Sequence, residues 1–310
     1  MTAGIDEVGR GPLAGPVIAS AVILPNDHDI DGLNDSKKLS PKKRSILYNE
    51  IMDKSIDIGI GCVGPDIIDK INIRNATIKA MEKAVENLTS NPDKILIDGV
   101  DEPNLLIPFK NIVKGDTKIE CIMAASIIAK VTRDRIMENY SIIFSEYGFE
   151  KNKGYGTKFH MEALKINMAT PIHRKSFNPV SKYLPTFRWL RENNKMRWMA
   201  NRLCCIYLMN KNYEIKDLEI FNDNNTAIDI IGEFNNLRVF IFINILNDSE
   251  YVKNPNSKSI DISNIKEYVS KYLKSNDIDI DIKWRADTIN VNLYNKNSQF
   301  EHLEGILTSN

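Results

Sequence analysis

The sequence predicts an α/β layered fold, on three observations. Strand-like apolar runs come first, helical patterns then alternate with further strands, and acidic residues stand at the ends of several runs. Residues 17–24 (VIASAVIL) form a nearly continuous apolar run, fit for a strand covered on both faces. Ser40-Pro41 has the form of a helix start, and residues 42–52 continue as a basic amphipathic helix. Residues 55–64 alternate, with Ile56, Ile58, Ile60 and Cys62 on one side and Asp57, Gly59 and Gly61 on the other, which is a strand of period two. Residues 65–88 read as a helix whose Ile71, Ile78, Met81, Val85 and Leu88 share a face, closed by Asn91-Pro92. Residues 94–99 (KILIDG) are a short apolar strand ending in Asp98, and Ile112-Val113 leads into Lys114-Gly115-Asp116. Residues 119–140, dense in Ala, Ile and Met, give a further helix.

The chemistry-bearing stretch is residues 2–16, TAGIDEVGRGPLAGP. An apolar lead ends in adjacent carboxylates, Asp6 and Glu7, and Gly9-Arg10-Gly11-Pro12 follows at once. By itself an Asp-Glu pair more often marks a solvated acidic turn than a site. Asp98 also ends an apolar strand and Asp116 follows one, and sites of open α/β sheets lie at strand ends. Four carboxylates there could hold two hard cations, Mg²⁺ or Mn²⁺, for in-line phosphoryl displacement. Neighbours on a strand point to opposite faces. Asp6 and Glu7 therefore require a bend or bulge at the strand end, or a contribution through a backbone carbonyl.

The chain of 310 residues is 43% hydrophobic and 26% charged, the composition of one large or two ordinary globular domains. Neither a bilayer-spanning apolar run nor a secretory leader is evident, and a cytoplasmic, membrane-free protein is expected. Cys62, Cys121, Cys204 and Cys205 form no CxxC pair and are expected to be buried, reduced thiols. Formal net charge is zero, but residues 151–191 hold nine Lys/Arg, Arg174 among them, against one acid, Glu162. With Tyr155, Phe159 and Phe177 interleaved, this block fits a phosphate-backbone footprint, although a solvated basic face has the same composition. The four histidines, His28, His160, His173 and His302, lack zinc spacing; His160 and His173 are expected as contact or structural residues. The absence of a GxxxxGK[ST] loop argues against a P-loop ATPase.

At these residues the chain resembles the ribonuclease HII family. The matching pieces are IDEVGRGPLAGPV, LNDSKKLS, LIDG, VKGDTK, AASIIAKVTRDR, KGYGTKFH and TPIHRKSF, in the family's order, over roughly residues 3–189. Met168-Ala169 departs from the Gly-Pro usual before TPIHR. The resemblance implies an RNase H-like fold for residues 1–192 and Asp6, Glu7, Asp98 and Asp116 as the metal-binding catalytic set. Asp134 matches a helix position rather than a ligand. Gly9, Arg10, Gly11 and Tyr155 are implied readers of a ribonucleotide 2′-OH, the group that separates RNA from DNA. Lys37, Lys38 and the basic block are implied phosphate contacts. The implied substrates are RNA–DNA hybrids and duplex DNA with embedded ribonucleotides, cut 5′ to the ribonucleotide to leave 3′-OH and 5′-phosphate ends. A DNA-specific nuclease on the same fold, and a non-catalytic nucleic-acid-binding protein, are the alternatives.

Beyond a linker at 193–198, residues 199–310 turn Asn-rich; residues 193–310 hold 14 Lys/Arg against 16 Asp/Glu, with no footprint for DNA. Expected elements are a helix at 199–208, strands at 227–231 and 238–246, an amphipathic helix at 265–273, and strands at 278–282 and 288–293. The segment is similar to the YraN family, with its PD-(D/E)xK nuclease-like, restriction-endonuclease-like fold. The matching pieces are Tyr207-Leu208 with Asn212-Tyr213, residues 227–231, 239–245, Arg285-Ala286-Asp287 and residues 301–304. Asp229 stands in the acidic position, but Ala227, Asn244 and Leu246 replace the usual Glu, Glu and Lys. A catalytically dead accessory or scaffold domain, open to protein partners, is the expectation.

Overall fold

The computed structural model describes residues 1–222, 225–246, 262–279, 281–293 and 298–309. The chain divides into two compact units. The first comprises Met1–Ser141 and Ser145–Leu184, and the second Ile142–Phe144 and Pro185–Asn310. No helix among the described residues is long and apolar enough to cross a membrane.

The first unit is built on a mixed five-stranded sheet. Its strands are β1 (Thr2–Val8), β2 (Val17–Ile23), β3 (Asp57–Val63), β4 (Lys94–Asp98) and β5 (Phe109–Ile112), in the order β3-β2-β1-β4-β5. β1–β2 and β2–β3 pair antiparallel, and β1–β4 and β4–β5 parallel. Helix α1 (Pro41–Lys54) starts at its Ser40 cap, α2 spans Pro65–Glu86, and α3 spans Glu120–Ile143. The short α4 (Phe149–Asn152) and α5 (Lys158–Asn167) follow.

Both sheet faces are covered, which is why the Val17–Ile23 run is wholly buried. One face carries Ala3, Ile5, Ala19, Ala21, Ile95 and Ile97 against Ile68, Ala76, Ala80 and Ala84 of α2. The other packs Val22, Ile58 and Ile60 against Leu47 and Ile51 of α1 and Ala124, Ala125 and Ile128 of α3. The alternation in β3 is thus present, but its glycine side is also core. Gly59 and Gly61 are buried directly beneath α2. A Cβ at either would stand 1.9 Å from a helix carbonyl, of Ala84 or Ala80. Cys62 at the end of the isoleucine row is exposed and Cys121 half-buried; only Cys204 and Cys205 are buried as expected of all four thiols.

The second unit contains α6 (Phe187–Glu192), α7 (Met196–Met209), β6 (Glu214–Asn222), β7 (Asn225–Phe234), β8 (Leu237–Leu246), α8 (Ile262–Ser275), β9 (Trp284–Asn292) and β10 (Gln299–Thr308). Its sheet order is β10-β9-β8-β7-β6. β8 and β9 are parallel, and the other pairs are antiparallel. Ile265, Val269, Tyr272 and Leu273 of α8 pack on Phe240, Phe242, Trp284 and Ala286. The strand expected at 278–282 is absent where described: Ile278 and Asp279 are irregular, and residues 281–282 form a turn and bend. Residue 280 lies outside the described residues.

Gly61→Ala is expected to destabilise the protein by about 2 kcal/mol or more, because the new methyl must displace helix backbone rather than a flexible side chain. A urea-unfolding midpoint unchanged from that of the parent would contradict this packing.

Candidate active site

Strand alternation and parallel register place the first two carboxylates. In β1, Ala3 and Ile5 face α2, whereas Gly4 lies under the backbone of Cys121 in α3. Asp6 continues the Gly4 row, on the side of the sheet that α3 covers. In β4, Ile95 and Ile97 face α2, so Asp98 turns to the same side as Asp6. The register Gly4↔Leu96 and Ile5↔Ile97 then carries the two aspartates to one level on neighbouring strands. Asp116 arrives on a tight turn, Gly115–Thr117, tied to β4 by the Gly115 N–H donating to Asp98 Oδ1 (2.6 Å). One oxygen from each of Asp6, Asp98 and Asp116 lies within 4.8 Å of the others.

Asp6 and Asp116 are buried, 6% and 8% exposed. Burial pushes the Asp6 carboxyl well above the usual aspartate range, and the charges of Glu7 and Asp98 add to the rise. Burial likewise raises Asp116, with Asp98 and Asp35 adding to it. Lys37 faces this cluster: partial burial would lower its pKa, but Asp35, Asp6, Asp116 and Asp98 together outweigh that and raise it. Lys37 and Lys38 are exposed on a turn whose backbone is fixed by Asp35, which accepts the Lys37 N–H at Oδ1 (2.9 Å).

Glu7 departs from the expectation. No bulge interrupts the strand; β1 and β2 stay in register from Ala3↔Ile23 to Val8↔Ile18. Period-two alternation therefore holds, and Glu7 continues the Ala3 and Ile5 row, outside the three-carboxylate group. Its N–H donates to Asp6 Oδ1 (2.8 Å), and its Oε1 lies 3.7 Å from Arg10 Nη1. Burial raises its pKa, against the opposing charge of Arg10.

The Gly9–Gly11 loop is held from beneath by two fully buried arginines. Arg133 of α3 donates to the carbonyls of Pro16 (2.9 Å), Ala14 (3.0 Å) and Lys153 (2.9 Å). Arg174 donates to those of Gly15 (3.1 Å), Arg10 (2.9 Å) and Gly9. Gly9 adopts φ +99°, and a Cβ there would stand 2.4 Å from Arg133 Nε, so only glycine fits. The Arg10 side chain is anchored by Asp101 (2.8 Å), and the Tyr155 ring stands 3.7 Å from where a Gly11 Cβ would be. Tyr155 is 44% exposed.

The basic block divides. Lys151, Lys158, Lys165, Lys175 and Lys182 are exposed, but Arg174 is buried and faces the loop's carbonyls, so it is no phosphate contact. His160 and His173 are also buried, as structural residues: their Nε2 atoms are 2.9 Å apart. Asp134 pairs with Lys130 (2.7 Å) and Arg44 (3.6 Å), apart from the carboxylate cluster. Ser126, Asp35, Asp101 and Arg133 were not singled out by residue type, although each lies in or beside a recognisable stretch.

The sequence model of the family "Ribonuclease HII" matches residues 3–180, ending before Pro185, where the main segment of the second unit begins. The chain is 52% identical over 183 residues to a ribonuclease HII of Lactobacillus johnsonii, covering 59% of this chain and 73% of that protein. It is 56% identical over 178 residues to one of Bacillus cytotoxicus, covering 57% and 68%. Among solved structures, the ribonuclease H2 of Pyrococcus horikoshii aligns with a TM-score of 0.52 at 28% identity, over 59% of this chain and 96% of that one. With more than half of its length matched by the family's model, the chain belongs to the ribonuclease HII family.

Proposed function

We propose that the first unit is an endonuclease that cuts 5′ to a ribonucleotide in RNA–DNA hybrids and in DNA with embedded ribonucleotides, leaving 3′-OH and 5′-phosphate ends. As a ribonuclease HII the chain is a hydrolase of the type 2 ribonuclease H class. The observation that carries the reading is the convergence of Asp6, Asp98 and Asp116 at the strand ends, near the Gly9–Gly11 loop. The donor set is all carboxylate oxygen, with Asp6 and Asp116 raised by burial, which suits a hard divalent cation such as Mg²⁺ or Mn²⁺. Asp6, Asp98 and Asp116 would hold it, and Glu7, set on the other face of β1, would support a second position. Bound divalent ions supply charge stabilisation at the attacking and leaving oxygens of the phosphodiester.

The chain's own residues do the rest. Lys37 and Lys38 offer ammonium groups to the substrate phosphates beside the carboxylates. Gly9 and Gly11 let the loop backbone approach the ribose, Arg10 is held ready by Asp101, and Tyr155 closes on the 2′-OH. A purely binding role is disfavoured, because clustered acids repel phosphates without a cation between them.

For the second unit we propose a degenerate YraN-like domain of restriction-endonuclease type that serves as an accessory or scaffold. Arg197 supports this. Its Nη2 lies 2.7 and 2.8 Å from the two oxygens of buried Asp229, and the Ile243 N–H also donates to that carboxylate. The guanidinium supplies the positive charge that a cation would otherwise bring. The only metal-competent acidic group among the described residues is the one in the first unit.

Asp6→Asn should lower cleavage of a duplex carrying one ribonucleotide by about 100-fold or more, since even outer partners of metal ligands cost 10–100-fold. Residual Mg²⁺-dependent cutting of plain DNA by that variant would assign activity to the second unit. The same substitution should stabilise the metal-free protein at neutral pH, where the buried Asp6 carboxylate is disfavoured. The folded-state pKa of Asp6 is raised. Its stabilising effect is therefore present at acid pH and lost as pH rises through that raised value. The gap in melting temperature between variant and parent should thus widen from acid to neutral pH, and Mg²⁺ should close it by stabilising the parent. Tyr155→Ala should depress single-ribonucleotide cleavage by about 10-fold or more while leaving metal affinity, measured by titration calorimetry, unchanged. A matching loss of metal affinity would refute its assignment to the ribose.

A further inference from the structure

Behind Tyr155 runs a buried chain of hydrogen bonds that the catalytic reading leaves unused. The Thr170 N–H donates to His173 Nδ1 (3.0 Å). A ring nitrogen that accepts carries no proton, so neutral His173 holds its hydrogen on Nε2. That N–H points at His160 Nε2, 2.9 Å away, which must accept. His160 therefore carries its hydrogen on Nδ1, and Nδ1 lies 2.9 Å from the carbonyl oxygen of Tyr155. The same carbonyl accepts the Thr157 N–H (2.8 Å), so both its lone pairs are engaged and the Tyr155–Gly156 peptide plane is fixed.

Both histidines are fully buried, against the rings of Tyr147 and Phe149. Burial lowers both pKa values, and each holds the neutral form that the one-way chain requires. An added proton on either ring would set donor against donor between the two Nε2 atoms. For filling space alone, a pair of apolar side chains would avoid these polar groups' desolvation. The polar pair instead ends on the main chain of the exposed aromatic that stands beside Gly11.

We propose that His160 and His173 are positioning residues for ribonucleotide recognition: through an ordered Thr170–His173–His160 relay they fix the backbone from which Tyr155 projects. The inference rests on the reading of Tyr155 as the contact to the ribose.

Two substitutions at one site separate positioning from packing. In His160→Asn the amide nitrogen sits near the place of Nδ1 and still donates to Tyr155. In His160→Gln the amide reaches the place of Nε2 and the bond to Tyr155 is lost. With a duplex holding one ribonucleotide, Gln should lower kcat/KM about 10-fold, whereas Asn should stay within about threefold of the parent. Their melting temperatures should be alike. Equal losses that follow thermal stability would overturn the proposal and leave a packing role. If Tyr155→Ala leaves cleavage unchanged, the ribose reading itself falls; if Tyr155→Ala is impaired and His160→Gln is not, only the relay falls. Imidazole nitrogen shifts of the unaltered protein give a test that needs no variant to fold. His173 should be the Nε2–H tautomer and His160 the Nδ1–H tautomer at neutral pH, and His160 found as Nε2–H would overturn the relay.

Discussion

Period two in a strand is the constraint on which the site depends. Adjacent residues of β1 must face opposite sides of the sheet, and the unbroken register with β2 enforces this through Val8. Asp6 therefore shares a face with Asp98 and with Ser126 of α3. Glu7 shares one with the α2-facing row. The parallel pairing of β1 with β4 then sets the two aspartates level without any special loop. Only Asp116 needs a turn, and Asp98 itself accepts the N–H that pins that turn. The carboxylate cluster is thus a product of sheet register. Its electrostatic strain, three acids partly desolvated side by side, is what makes a divalent cation the natural counter-charge.

The loop after β1 depends on a different interaction. Arg133 and Arg174 are buried charges with no carboxylate at ion-pair distance among the described residues. Desolvating each costs several kcal/mol. Each donates three hydrogen bonds to main-chain carbonyls, and charge-assisted bonds contribute roughly 1.5–3 kcal/mol apiece, enough to offset that cost. Lysine offers neither the forked geometry nor enough donors in one plane to replace them. Because their partners are carbonyls at Gly9, Arg10, Ala14, Gly15, Pro16 and Lys153, the two arginines join the glycine loop to the segment carrying Tyr155. They also leave positive charge beneath a surface read as meeting phosphates, without being the contacts themselves.

Legibility in the sequence follows from this division. Most strands, the main helices and the three converging aspartates were readable, because apolar periodicity and an acid at a strand end are local signals; β6 and β10, with their polar sequences, were not. The period-two pattern of β3 left its glycine side unassigned, since a strand's pattern does not tell that a helix will lie on it at 1.9 Å from a would-be Cβ. Arg174 was read from composition as part of a basic surface, and His160 and His173 as contact or structural residues without a choice between the two. Their burial is a long-range fact: Arg174 meets Gly9 across 165 positions of sequence, and no window contains both. Asp101 and Asp35 escaped because their partners, Arg10 and a turn backbone, give no pattern of their own. The bend, bulge or carbonyl contribution expected at Asp6–Glu7 came from asking two strand neighbours to serve one site, whereas the unbroken register sends their side chains to opposite faces.

The second unit applies the same electrostatics with the opposite outcome. Asp229 is buried like Asp6 and Asp116, and burial raises its pKa as it does theirs. Its neighbours differ. Where Asp6 meets Glu7 and Asp98, Asp229 meets a guanidinium and a backbone N–H, and both act to hold it ionised. A carboxylate surrounded by acids lacks positive charge, and a soluble cation must bring it. A carboxylate clasped by Arg197 has that charge supplied by its own chain, and a metal would have to displace the guanidinium Nη2 that contacts both carboxylate oxygens to reach it. Neutralisation from within the chain is therefore sufficient to hold the buried Asp229 charged without a cation.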